Sequence, residues 1–453
     1  MFPLIRARPS AALLPMLKGP SLMSSAEKED WRRFPRYERL RATEWNTYGF
    51  QREHAITRKD DLLAWLKRAV PDELRPPQRT PLRNNINTRA ELLADVAAAL
   101  DRMPMAIRLT PHTLTRIDWD DPLNCPMFRQ FIPLRSELLN EHPESRRDSL
   151  CEKKDEVVHG LVHRYKNKAL FLATSVCAIY CPFCTRAAMV GTGAIEKEPT
   201  KPDVGRWNKF FEHLASNDAI HNVVLSGGDV YTLNATRLEQ LLLLDSPHVK
   251  RVRFGSRGLC AAPGRILDPA DRWTATLLKY TSKARQMGKE LCLHTHFNHV
   301  QEMNETTQEA ARFLYQAGVT VRNQAVLLRG INDTVKDQSD LIHALADVHI
   351  TPYYVYQCDM TPGIEHLRSP LSEIIKLEKV VQGITSGFHI PNYVVDLPGG
   401  GGSAPTGIST WQAPGLSGAK GETTYTYHDP LPHSFSEELN LFSMFRNRRS
   451  GKR

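Results

Sequence analysis

The chain reads Ser175-Val-Cys-Ala-Ile-Tyr-Cys-Pro-Phe-Cys184 at the position that decides its fold, a CxxxCxxC run of three cysteines. Three thiolates this close together suit an iron–sulfur cluster, and a cubane of four irons would then keep one iron without a protein ligand. Two other interpretations are weaker. A closed zinc site usually has four protein ligands, and no fourth is evident here. Three unrelated buried thiols would not be expected at this spacing.

An iron without a protein ligand can bind a small molecule, which in radical chemistry is S-adenosylmethionine. The aromatic Phe183 directly before Cys184 also fits the radical-SAM form of the cysteine motif. The motif therefore predicts a [4Fe-4S] cluster, held by Cys177, Cys181 and Cys184, and S-adenosylmethionine as cofactors.

Length and composition restrict the class of protein. The 453 residues, 41% of them hydrophobic, suffice for one large barrel with an extension or for two ordinary domains. No apolar stretch is long enough to cross a bilayer, so no membrane association is expected. Eight cysteines in a chain of this length do not indicate a disulfide scaffold. We expect a reducing intracellular location, either the cytoplasm or the mitochondrial matrix.

The net charge of +9 could indicate nucleic acid or anionic ligands, but part of it lies at the chain ends. Those ends lack interleaved aromatic residues, and no recognition motif occurs, so we expect no nucleic-acid partner. Residues 1–30 are interpreted as a disordered leader or a targeting peptide, because no acidic residue precedes Glu27. The tail from Arg446 to Arg453 is interpreted as a solvated end.

The rest of the chain divides by its hydrophobic pattern. Residues 31–155 are predicted to be mainly helical, with helices at 60–70 and 89–103. Residues 156–400 are predicted to form an α/β fold, a partial (β/α) barrel of parallel strands. Residues 401–453 would hold the end of a glycine loop, an extension and the basic tail. The predicted strands are 170–175, 222–225, 251–254, 291–295, 319–328, 353–357 and 393–395, and helices are predicted at 206–215, 271–287 and 371–384.

Polar and glycine-rich residues follow these strands, at the end where parallel barrels place their active sites. Gly227-Gly228 would leave backbone N–H groups free to approach a ligand, and Asp229 would contact that ligand or cap a helix. The four glycines from Gly399 to Gly402 suggest a phosphate cradle rather than a linker.

Charged residues at the same strand ends suggest a substrate. Arg186 suits a carboxylate, and Asp359 and Asp396 could face a substrate cation, cap a helix or pair with an arginine. In the HxHxxH run, only His294 and His296 share a face of the strand, so hydrogen bonding is favoured over a three-histidine metal site.

These motifs together resemble the lysine 2,3-aminomutase family, over roughly residues 45–427. The resemblance implies a radical-SAM fold with a helical N-terminal extension. The family uses a 5′-deoxyadenosyl radical to take hydrogen from C3 of lysine, and the amino group moves from C2 to C3 on pyridoxal phosphate. The segments that carry the resemblance begin at Met105, Gly160, Cys177, Leu225, Thr295, Val326, Tyr356 and Asp396.

The resemblance also implies roles for residues. It assigns the cluster to the three cysteines, the lysine carboxylate to Arg186, and the distal ammonium to Asp359 and Asp396. A flavodoxin- or ferredoxin-like electron donor, a small amino-acid substrate and a homo-oligomer are further expectations. The residues predicted to bind cofactors are Arg164, Tyr165, Ser226, Gly227, Gly228, Asp229, His296, Gln324, Gly399, Gly400, Gly401 and Gly402.

Three residues depart from the family pattern. Ser403 stands where the family has the lysine that forms a Schiff base with pyridoxal phosphate, and a hydroxyl cannot form an imine. Thr334 replaces a zinc-binding cysteine, and no cysteine follows Cys358, so no structural zinc is predicted. Lys168 replaces a phosphate-binding arginine, which keeps the charge and loses the bidentate fork.

These departures leave three hypotheses. Pyridoxal phosphate binds without a covalent tether and the amino group is still shifted. Alternatively, the radical drives a pyridoxal-free dehydrogenation, epimerisation or deamination of a lysine-like substrate. A third hypothesis is a cluster-binding protein without turnover.

Overall fold

The computed structural model describes residues 30–397 except 80–84, 104, 144, 188, 192–203 and 243–244, together with 402–406, 411–415 and 424–427. The predicted leader, apart from Asp30, lies outside the described residues. So do Gly399, Gly400 and Gly401 of the predicted phosphate cradle, and the basic tail.

The N-terminal part is helical, as predicted. The cap of α4 shows why one of these helices begins where it does: Thr88 accepts the Glu91 N–H, and the Glu91 carboxylate accepts the Thr88 N–H in return. Pro111 and Pro126 stand at the starts of two later helices, where a missing N–H costs nothing. The helices are α1 (Ala42–Trp45), α2 (Tyr48–Glu53), α3 (Lys59–Ala69), α4 (Arg89–Leu100), α5 (Pro111–Thr115) and α6 (Pro126–Phe131).

The remaining chain forms a ten-stranded sheet in which every strand pairs with its neighbours in sequence, from β1 to β10. The pairings from β3 to β9 are all parallel, whereas β1–β2, β2–β3 and β9–β10 are antiparallel. The strands are β1 (Glu156–Val158), β2 (Leu161–Tyr165), β3 (Lys168–Thr174), β4 (Asn222–Gly227), β5 (Arg251–Gly255), β6 (Glu290–Thr295), β7 (Thr320–Leu327), β8 (Thr351–Gln357), β9 (Asn392–Leu397) and β10 (Gly402–Pro405).

Helices follow the parallel strands, as in βα units. The sequential strand order with these crossovers is that of a partial (β/α) barrel, which confirms the predicted fold class. A separate two-stranded hairpin consists of β11 (Trp411–Gly415) and β12 (Thr424–Tyr427). The helices are α7 (Val204–Ala215), α8 (Ala235–Leu241), α9 (Gly258–Ala261), α10 (Gly264–Leu267), α11 (Arg272–Gln286), α12 (Glu305–Gln316), α13 (Val335–Asp347) and α14 (Leu371–Val381).

Side chains along the parallel strands point alternately into the hydrophobic core and towards the site. In β4, Val223 and Leu225 are fully buried, while Val224 and Ser226 are half-buried and line an interior cavity. The same period of two runs along β7, where Gln324 and Val326 line that cavity. One face of each strand therefore packs under the helices, and the other face supplies the site.

The N-terminal helices and the barrel share one hydrophobic core. Trp45 and Leu62 belong to the same buried cluster as Phe254 of β5. The rings of Tyr48 and Tyr231 meet edge to face, with 5.7 Å between their centroids. The N-terminal helices therefore brace the barrel directly. None of the described helices has the length and apolar character needed to span a bilayer.

Candidate active site

The barrel interior holds a cavity of about 420 Å³. A second cavity of about 700 Å³ adjoins it towards the amino ends of the strands and shares Arg164, Arg186 and Asp396 with it. The first cavity brings together residues from strand ends that are far apart in sequence. The predicted site residues that line it are Arg164, Tyr165, Cys181, Cys184, Arg186, Ser226, His296, Gln324, Asp359 and Asp396.

The cysteine loop follows β3 directly, and Cys177, Cys181 and Cys184 are all free thiols. Burial raises the pKa of Cys177 well above its ordinary value, and the neighbouring Asp229, Cys184 and Cys181 raise it further. Burial also raises the pKa of Cys184 to about 11, and Cys181 adds to the shift. The raised pKa values mean that ionising these neighbouring buried thiols costs free energy. Bound iron ions would offset that cost, because their positive charge stabilises the thiolates, so the three cysteines fit an iron–sulfur cluster.

Side chains of the kinds that bind metals are not gathered around any single ion position among the residues described. In a cubane, by contrast, each cysteine binds a different iron.

The Gly227-Gly228 turn packs against the backbone that leads into the cysteine loop. Gly228 donates its N–H to the Thr174 carbonyl at 2.5 Å, and Asp229 donates to the Val176 carbonyl at 2.8 Å. Gly227 has a φ of +107°, a left-handed conformation that favours glycine. The expectation of free N–H groups at Gly227-Gly228 is therefore wrong for Gly228, because its N–H, like that of Asp229, fixes the cysteine loop.

We expect Gly228→Ala to displace the cysteine loop, because a Cβ at this position would overlap the Val176 carbonyl. Overpacking of this kind costs about 1–3 kcal/mol. A thermal melt should show a lower Tm, and iron analysis after reconstitution should show less bound iron. Gly383→Ala is the matched control, since nothing lies within 4 Å of a Cβ there. Equal melting temperatures and iron contents in the two variants would contradict the expectation.

Asp229 is buried beneath the same turn. Its carboxylate accepts the Tyr231 N–H at 2.8 Å, which caps a short 3-10 helix, and the Arg257 N–H, also at 2.8 Å. The capping alternative considered from the sequence is thus what the structure shows. The residue ties the glycine turn to the end of β5.

Arg186 faces the cavity and already holds a carboxylate of the chain. Its Nε and Nη2 donate to the two oxygens of Glu152 at 3.0 and 2.7 Å, a bidentate fork. Glu152 is buried and lines the cavity as well. A ligand carboxylate that approaches Arg186 must therefore share the guanidinium with Glu152 or displace it.

Asp359 and Asp396 form an acidic pair that lines the same cavity. Burial raises the pKa of Asp359, and the neighbouring Asp396 raises it further. Burial also raises the pKa of Asp396, whereas the hydroxyl of Ser403 donates to Asp396 and opposes the shift. Ser403 lies opposite Asp396 in the β9–β10 ladder. A cationic ligand group between the two acids would favour their charged forms.

Basic side chains line the wall nearest the second cavity. Arg164 is held by Asp155 at 2.6 Å and by the Leu150 carbonyl at 2.5 Å. Lys168 and Arg253 pair with no carboxylate among the described residues. Burial lowers the pKa of Lys168, and the charge of Arg253 lowers it further. Two adjacent cations without an acidic partner form a surface that an anion would neutralise.

The histidine run divides as the alternation predicts. His294 and His296 both line the cavity, and burial lowers the pKa of His296 to about 3, so it is neutral. Its Nε2 lies 3.0 Å from the Asn298 side-chain oxygen. His299 instead accepts the Gln301 N–H, and its Nε2 lies 3.8 Å from Asp337. Gln324 donates to the Tyr356 hydroxyl at 3.2 Å.

The sequence did not single out several residues that the structure places at the site. Glu152 gave no signal, because it lies outside every periodic segment. Arg253 belongs to a strand whose alternation could have placed it on the inner face. Arg257 follows Gly255-Ser, a strand-end motif that the sequence shows without indicating its role.

Thr334, at the position of the missing zinc ligand, is the N-cap of α13 and accepts the Asp337 N–H.

Comparison with known proteins identifies relatives over most of the chain. The chain is 37% identical to L-lysine 2,3-aminomutase of Clostridium subterminale over 339 residues, which cover 72% of this chain and 77% of that one. It is 33% identical to L-lysine 2,3-aminomutase of Bacillus subtilis over 83% of this chain and 72% of the relative. Glutamate 2,3-aminomutase of Clostridioides difficile is 31% identical over 66% of each chain.

A scan against models of protein families finds no match. The structure of Streptococcus suis SuiB bound to S-adenosylmethionine aligns with a TM-score of 0.37 and 15% identity over 52% of each chain. The level and extent of identity to the aminomutases, together with the partial barrel and its cysteine loop, show that this chain belongs to the lysine 2,3-aminomutase family of radical SAM enzymes.

Proposed function

We propose that this protein is a radical-SAM aminomutase that shifts the amino group of L-lysine, or of a close relative, from C2 to C3. The cluster would be a [4Fe-4S] centre on Cys177, Cys181 and Cys184, with S-adenosylmethionine on the open iron. When reduced, the cluster would supply the electron that releases a 5′-deoxyadenosyl radical.

One observation carries the proposal: the cysteine loop, Arg186 and the acidic pair line a single cavity. Asp359 and Asp396 suit a distal ammonium, and Arg186 suits a carboxylate at the opposite end of the same molecule. Lysine carries both groups. Glutamate would place a second carboxylate against the acidic pair, so this pair favours a basic amino acid over an acidic one.

The negative charge of pyridoxal phosphate is complementary to the basic side chains of the site. Arg164, Lys168 and Arg253 form a basic wall that suits a phosphate, and the last two have no acidic partner among the described residues. When bound, the cofactor would supply a π-system that stabilises the radical during migration of the amino group. Ser403 would not tether it, because its hydroxyl is engaged with Asp396 and cannot form an imine.

A second candidate is a pyridoxal-free radical reaction on the same substrate class, namely dehydrogenation, epimerisation or deamination. Ser403 supports it, since the residue that the family uses for the tether is absent. Product analysis distinguishes the two candidates.

The test is an anaerobic assay of the reconstituted full-length protein with dithionite, S-adenosylmethionine and L-lysine, with and without pyridoxal phosphate. We expect β-lysine, identified by mass spectrometry, only when pyridoxal phosphate is present. A dehydrogenated, epimerised or deaminated product without pyridoxal phosphate would favour the second candidate. No product from lysine, with 5′-deoxyadenosine still formed, would reject lysine as the substrate.

The KM for lysine should rise as the pH falls. The raised pKa values of Asp359 and Asp396 mean that the pair takes up protons nearer to neutral pH than ordinary carboxyls do. The ε-ammonium of lysine stays charged up to a pH of about 10. Protonation of the pair therefore removes the attraction, and KM should increase by up to about tenfold per pH unit below the apparent pKa. A KM that stays constant as the pH is lowered, or that falls with acid, would contradict this account.

A further inference from the structure

Arg257 reaches the cysteine loop from the end of β5. Its Nη1 donates to the sulfur of Cys181 at 2.7 Å. Its Nη2 donates to Glu302 at 2.9 Å and to the Gln130 side-chain oxygen. The guanidinium lies over the rings of Phe131 and Phe183, with 4.6 and 5.6 Å to their centroids. An arginine that is 6% exposed is therefore held against one cysteine of the predicted cluster.

The partners of Arg257 fix its orientation. Both oxygens of Glu302 are saturated. Oε1 accepts the N–H groups of Asn298 and His299 at 2.8 and 3.0 Å and the side-chain N–H of Gln130 at 3.2 Å. Oε2 accepts Arg257 and the thiol of Cys260, the latter at 2.8 Å. Glu302 is 1% exposed, and all the acceptor positions of its carboxylate are occupied. The carboxylate is therefore held in one orientation. The positive end of this ion pair consequently points at Cys181.

The three cysteines differ in the hydrogen bonds that their sulfurs accept. Among the residues that the structure describes, Cys184 accepts only a backbone N–H, from Arg186 at 3.4 Å. Arg108 lies beside the same loop, but its Nε donates to the Ala178 carbonyl at 3.3 Å rather than to a sulfur. Within the described part of the chain, Cys181 is the only one of the three whose sulfur accepts a hydrogen bond from a charged side chain.

We infer that Arg257 is a positioning residue that sets the reduction potential of the cluster through its hydrogen bond to Cys181. The inference rests on the proposed cluster. Hydrogen bonds to cluster sulfurs and nearby charge both shift cluster potentials. Donation from a cation stabilises the extra negative charge of the reduced cluster, and a site closed to water strengthens this effect. Arg257 therefore makes the cluster easier to reduce by an external one-electron donor.

The test is a redox titration of the reconstituted full-length protein, monitored by EPR, without S-adenosylmethionine. In Arg257→Gln, we expect the ratio of reduced to oxidised cluster at a fixed solution potential to fall about tenfold, which equals 59 mV for a one-electron couple. Arg257→Lys keeps the charge and should lie between the wild type and Arg257→Gln. Glu302→Gln should shift the potential in the opposite direction, because it leaves the cation uncompensated.

Arg108→Gln is the matched control, because it removes a charge beside the loop that makes no hydrogen bond to a sulfur, and it should shift the potential less than Arg257→Gln. Iron and sulfide analysis establishes that each variant carries a complete cluster. If a variant at position 257 does not hold a complete cluster, the potential of Glu302→Gln tests the inference instead, since that variant retains Arg257. Potentials in Arg257→Gln and Glu302→Gln that equal that of the wild type would overturn the inference. Failure of the wild type to assemble a cluster would instead overturn the proposed function.

Discussion

Cys181→Ser is expected to abolish turnover completely and to prevent assembly of an intact [4Fe-4S] cluster. Iron–sulfur clusters depend on soft thiolate ligands, and a serine hydroxyl is a poor replacement. The sulfur of Cys181 also accepts the hydrogen bond from Arg257, so its loss leaves a buried cation without this partner. The visible absorption of the reconstituted protein and its iron and sulfide content would report the loss, and 5′-deoxyadenosine formation should cease.

The control for this prediction is Cys125→Ser. Cys125 is a buried free thiol that does not line the cavity, and it accepts the Asp118 N–H, which a hydroxyl can also do. That variant should retain the cluster. A full cluster in Cys181→Ser, or an equal loss in both variants, would show that the cysteine loop does not bind the cluster as proposed.

Asp359→Asn should lower kcat/KM for lysine roughly a hundredfold, because removal of one partner from a buried charge pair costs about 2–5 kcal/mol. The change should appear mainly in KM, since the ammonium is distant from the reacting carbons. The variant also lacks the Asp359 carboxyl, whose pKa is raised by burial and by the neighbouring Asp396. Steady-state kinetics should therefore show a weaker dependence of KM on pH in the variant than in the wild type.

Norleucine, which has the carbon chain of lysine but no ε-ammonium, separates a charge effect from a structural one. The wild type should discriminate strongly between lysine and norleucine, and Asp359→Asn should lose most of this discrimination. If the variant lost activity on both substrates in equal proportion, Asp359 would support the fold rather than bind the ammonium.

Much of the site could be predicted from the order of the strands. Cys181 follows β3 and Asp359 follows β8, and parallel strands bring their carboxyl ends to one edge of the barrel. The alternation of β7 likewise predicts that Gln324 faces inwards. Such features depend only on local periodicity and chain direction, and both are visible in the sequence.

The pairings within the site could not be predicted in the same way. The fork between Arg186 and Glu152 joins residues that are 34 positions apart, and Glu152 lies in a short 3-10 helix without a hydrophobic period. The use of the Gly228 N–H to fix the cysteine loop depends on a tertiary contact. The antiparallel strands β1, β2 and β10 have three to five residues each, too few for alternation to distinguish them from loops.

The central claim is that a radical formed at the cluster takes hydrogen from C3 of lysine. The most direct measurement is an anaerobic reaction with L-lysine deuterated at C3, followed by mass spectrometry of 5′-deoxyadenosine and of the amino-acid product. The proposed function predicts deuterium in 5′-deoxyadenosine together with β-lysine. Undeuterated 5′-deoxyadenosine, with all deuterium retained at C3 of unreacted lysine, would contradict it and the roles of Asp359 and Asp396.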